Sequence, residues 1–81
     1  MSNKKQQPEK PVLVRTPHGM FNARLAGSVN LTPKGVAIMN DDNTMLHWLP
    51  EEDPEKAKKL NEALLDLIID KKPINWKSLG Y

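Results

Sequence analysis

The chain reads as α+β: a small bent antiparallel sheet, or an open barrel, of three to four strands over about residues 11–49, followed by one C-terminal helix over about 54–70. Three observations predict it. Short stretches of alternating apolar and polar residues fill the first half. The turn tetrapeptide T-P-x-G occurs at 16–19 and again at 32–35, a regular distance that suits successive antiparallel hairpins. A capped amphipathic segment then runs from Asp53 to a stop at Pro73.

Residues 1–10 hold no large apolar side chain after Met1 and are rich in Lys, Gln and Pro. Such a segment cannot bury enough surface to offset its ordering entropy, so a disordered basic arm is expected there. From Pro11 the character changes, and a single α+β domain is expected over 11–72. Val12, Leu13 and Val14 read as a strand, closed by the turn chemistry of Pro17 and Gly19. In the next stretch Phe21, Ala23 and Leu25 alternate with Met20, Asn22 and Arg24. Gly27 and Ser28 interrupt that alternation, which predicts a bulge or bend before Val29 and Leu31. After the second T-P-x-G turn, V-A-I-M-N is a third strand, D-D-N a turn, and T-M-L-H-W-L a fourth strand stopped by Pro50.

Asp53 suits the N-cap, Pro54 the first helical position and Glu55 the positive end of the dipole. Ala57, Leu60, Leu64, Leu67 and Ile68 form one apolar stripe, with Lys58, Lys59, Glu62 and Asp66 largely opposite. Leu65 and Ile69 lie on a shoulder outside the stripe. That shoulder needs cover, either from the tail at 73–81 packing back through Ile74 and Trp76 or from another molecule.

Bulk properties narrow the function classes. With no cysteine there is neither a disulfide framework nor a thiolate metal site or cysteine nucleophile. No apolar run approaches the roughly 20 residues of a membrane span, and the N-terminus lacks a signal-peptide pattern, so a soluble cytoplasmic protein is expected. The net charge of +2 divides into +3 over residues 1–50 and −1 over 51–81, well short of a dense basic stripe. His18 and His47 would need carboxylates to complete a zinc site, and their spacing does not suggest one. Asp41, Asp42 and Asn43 lack the alternating ligand pattern of a calcium loop. Ser28, Ser78, Thr16, Thr32 and Thr44 lie in no nucleophile elbow, and the scattered glycines make no phosphate cradle. The expectation is a non-enzyme without cofactor or metal.

The stretch T-M-L-H-W-L at 44–49 decides the rest. Met45, His47 and Leu49 fall in one phase, Leu46 and Trp48 in the other, so both faces are largely apolar. The helix can cover one face. A barrel interior could cover the other, or it could be a recognition surface of Trp48, Met45 and Met39 rimmed by Glu51 and Glu52. The preferred expectation is a small regulatory or inhibitory protein of bacterial or phage type that binds a protein partner through this patch, with Leu65, Ile69 and Trp76 as a dimer or tail contact. The alternative is a small barrel binding RNA or single-stranded nucleic acid through Arg15, His18, Arg24, Lys34, Lys4 and Lys5. The V-L-V strand, turn glycine and bent second strand resemble an Sm-like or SH3-like barrel in outline. The usual acidic residue after the second strand is absent, however, and the helix follows the strands instead of preceding them.

Overall fold

The structure is a computed structural model and describes residues 10–81. The arm expected at 1–10, with Lys4 and Lys5, lies outside the described residues except for Lys10. Five strands precede the helix: β1 Leu13–Thr16, β2 Gly19–Asn22, β3 Ala26–Thr32, β4 Gly35–Asn40 and β5 Met45–Pro50, then α1 Pro54–Asp70. They form an antiparallel β1–β2 hairpin and a separate antiparallel sheet in the order β3–β4–β5. The fold is α+β, as its alternation and capping dictate, and the sheets do not close into a barrel.

The two T-P-x-G turns use the same device. Thr16 Oγ1 accepts the His18 N–H at 3.1 Å, and Thr32 Oγ1 accepts the Lys34 N–H at 3.2 Å. Each hydroxyl thereby replaces a backbone acceptor inside its turn. Between the turns, the long second strand suggested by the alternation is broken in two. A 3-10 turn at Ala23–Leu25, capped by the Asn22 carboxamide accepting from the Arg24 N–H, separates β2 from β3. The bend expected at Gly27 is present as a register shift between Ala26 and Ser28. A Cβ at Gly27 would lie 2.6 Å from Asp41 Oδ1 and 3.0 Å from the Asn40–Asp41 backbone, so the chain can turn there only without a side chain.

The helix begins and ends where its caps direct. Asp53 accepts the Glu55 and Lys56 N–H groups, Pro54 opens the helix, and Lys71 in the left-handed region closes it. Ala57, Leu60 and Leu64 are buried, and α1 lies across β3 and β4. Phe21 from the hairpin, Val36 and Ile38 from β4, Leu49 from β5, and Leu60 and Leu64 from α1 make one core. The tail packs back on it through Ile74, Trp76, Leu79 and Tyr81. Among the described residues no helix is long and apolar enough to cross a membrane.

Candidate functional site

Register decides which residues of β5 share a face. Val36 pairs with Leu49, Ala37 with Trp48 and Ile38 with His47, but the next pair is Met39 with Met45, leaving Leu46 as an extra residue. Such a bulge shifts the side-chain phase by one. Leu46 therefore packs against the core instead of accompanying Trp48. Met45, placed by simple alternation with His47 and Leu49, moves with Met39 to the side of Ala37 and Trp48. Helix and hairpin both contribute to the core on the Ile38–Leu49 face. The opposite face carries Trp48, Ala37, Met39 and Met45, with Asn30 and Ser28 on β3 joined at 3.2 Å. Trp48 and Met39 are partly buried without packing on the core, and Met45 is 56% exposed.

The acidic residues after β5 have different surroundings. Glu52 is exposed. Glu51 is tied to the other side: its carboxylate accepts the Tyr81 hydroxyl at 2.6 Å and the Asp53 N–H at 3.1 Å, and lies 3.7 Å from Lys56 Nζ. The Tyr81 hydroxyl, with the Asp53 amide and Lys56 adding to it, holds the Glu51 carboxyl below its ordinary range. Burial, then the Glu51 carboxylate, pushes the Tyr81 phenol well up. Lys56 also donates to the Gly80 carbonyl and sits 4.2 Å above the Tyr81 ring, so one lysine fastens the tail to the helix start. Trp76 meets Tyr81 edge-on at 6.0 Å. The tail thus carries Trp76 into the core, while Leu65 stays partly buried and Ile69 is 69% exposed.

His47 is the joint between hairpin and sheet. Its ring stacks on Phe21 at 5.4 Å, and its Nε2 lies 2.8 Å from Oγ1 of the buried Thr16. Burial first, and the nearby His18 second, keep this imidazole below its ordinary value. No group of three or more metal-ligating side chains is disposed to hold an ion among the described residues.

The basic residues do not gather into one stripe. Arg15 and His18 lie at the turn end of the hairpin, Arg24 at the opposite end with its Nε donating to the Lys10 carbonyl, and Lys34 in the β3–β4 turn. The Arg15 side chain makes no hydrogen bond or ion pair among the described residues. With Thr16, Pro17, Trp76 and Tyr81 it lines an open groove of about 400 Å³.

Sequence reasoning missed the β4–β5 bulge and the Glu51–Lys56–Tyr81 tie. The spacing of Trp76, Leu79 and Tyr81 in so short a tail was the available sign of the second. Fold and site together define a small α+β protein whose three-stranded sheet keeps an apolar strip on the face away from its helix. No protein-family model, no curated protein and no solved structure matches the chain.

Proposed function

We propose that this chain is a small non-catalytic regulatory or inhibitory protein, acting in the cytoplasm, that binds a protein partner through the Trp48 face of its sheet. The observation that carries this reading is the bulge-corrected register that gathers Trp48, Met39 and Met45 on one side without a core role. Trp and Met are favoured at the centres of interfaces, and an apolar strip on a sheet gains most when a partner completes its burial. Glu52 supplies polar rim, whereas Glu51 serves the tail. Leu65 and Ile69 form a second apolar patch suited to self-association.

A second reading, single-stranded nucleic-acid binding, draws support from the groove in which Arg15 stands beside Trp76 and Tyr81. Glu51 and Asp53 close to Tyr81 weigh against a polyanion there. Affinity capture from the native host separates the two. The wild type is expected to retain a protein at high and low salt, and Trp48→Ala to lose it while remaining folded. Retention of nucleic acid at low salt, abolished by Arg15→Ala with Arg24→Ala, would overturn the preferred reading.

A further inference from the structure

Among the described residues the outer side of β3 is an open sheet edge. Thr32 and Gly35 close a two-residue turn, so hydrogen-bonding direction alternates back along the strand, and Leu31 and Val29 turn their N–H and C=O groups away from β4. Apart from the Ala26 N–H, which donates to the Ala23 carbonyl of the preceding 3-10 turn, β3 forms no backbone hydrogen bond with any described element other than β4. Sheet proteins usually guard such edges with Lys, Pro or inward charge, yet β3, A-G-S-V-N-L-T, carries no charge at all.

The surroundings of this edge are apolar and complementary to themselves. Leu31 is 49% and Leu25 51% exposed. Beyond Leu31 lies a hollow of about 440 Å³ lined by Leu31, Thr32, Pro33, Pro54 and Ala57. On α1, Lys58, Asn61, Leu65 and Ile69 form a flank on the side away from Ala63 and Asp66, where the tail packs. Asn61 Oδ1 on this flank is a buried side-chain oxygen with no hydrogen-bond partner.

We propose that a second copy of this chain occupies this edge, pairing β3 with β3 antiparallel about a two-fold axis at Val29. In this register Leu31 lies opposite Gly27, which has no side chain to obstruct it, and Leu25 reaches the level of Pro33 above the copy's hollow. The uncharged strand approaches itself without repulsion. On the flanks Lys58 and Glu62, one helical turn apart, meet charges of opposite sign on the copy. Because α1 lies across β3 and β4, the two helices abut over the axis and bury Leu65 and Ile69. The product is a continuous six-stranded sheet with both helices on one face and, on the other, two Trp48 strips towards its outer edges, separated by the paired β3 strands. The proposal rests on the self-association reading of Leu65 and Ile69 and is independent of what binds Trp48.

Sedimentation equilibrium of the full chain from roughly 10 μM to 1 mM tests it, together with isotope-filtered contacts between labelled and unlabelled copies. The expected species has twice the 9.2 kDa monomer mass, with intermolecular contacts at Val29. Leu31→Pro, which removes an outward N–H, and Leu25→Asp, which charges the contact, should each weaken association about tenfold or more. If Leu31→Pro does not fold, Leu25→Asp and the Val29 contacts decide alone. A dimer indifferent to these changes but dissociated by Ile69→Asp would overturn the strand pairing and leave self-association standing. A monomer throughout would overturn both.

Discussion

Replacing Gly35 with alanine should remove about half of the protein's stability. Gly35 opens β4 with φ +154°, a region that side chains of L-residues avoid. A Cβ there would lie 2.3 Å from the Leu49 carbonyl oxygen, 2.9 Å from Pro50 Cα and 3.0 Å from Glu51 N. All three are backbone atoms at the end of β5, and the strand cannot swing aside because the Glu51 N–H donates to the Lys34 carbonyl at 2.9 Å. The strained conformation costs about 1–3 kcal/mol. Forcing the two strands apart costs about 1–3 kcal/mol more. Together these make about 2–6 kcal/mol, against a total of about 4–12 kcal/mol for a chain of this length. Urea unfolding followed by tryptophan fluorescence would show a lower midpoint with an unchanged slope. A variant within about 0.5 kcal/mol of the wild type, the ordinary effect of a surface substitution, would refute the packing argument.

Other expectations follow from the same contacts. Leu64→Ala, at a fully buried core position, should cost about 2–5 kcal/mol, while Ile69→Ala should cost less than about 0.5 kcal/mol in the monomer; denaturant midpoints at low concentration distinguish them. His47 is held below its ordinary value, so the unfolded chain takes up a proton before the native state does. Stability from this joint is therefore fully present above about pH 6.5 and declines as pH falls through the histidine range, and thermal midpoints between about pH 7.5 and 5 should show less of that decline in His47→Gln. Equal slopes in the two proteins would count against the joint. Tyr81→Phe removes the first cause of the depressed Glu51 carboxyl, and carbon-detected titration should find that carboxyl moved up towards its ordinary range.

Much of the architecture was legible because its causes are local. Asp53 and Pro54 can satisfy and shape a helix start with only their neighbours, and α1 begins at Pro54 and ends at Asp70 as the caps require. The repeated T-P-x-G turns work through a threonine hydroxyl two residues from the amide it accepts. The bend at Gly27 was marked by the residue itself. What alternation could not reveal was the 3-10 turn at Ala23–Leu25, where Asn22 capping the Arg24 amide prevails over a period-two pattern that continues through the break.

The sequence by itself determined the α+β order of elements, their turns and caps, the absence of cysteine chemistry and the concentration of Trp and Met around β5. Tertiary structure alone decided which face those side chains share, because the bulge opposite Ile38 and Met39 exists only in the pairing of two strands. It also decided that Glu51 belongs to the tail, since Tyr81 lies thirty residues along the chain from its carboxylate and reaches it only after the helix has turned the backbone around. Local propensities act over a few residues, whereas faces, edges and ties between distant side chains are set by how the elements pack.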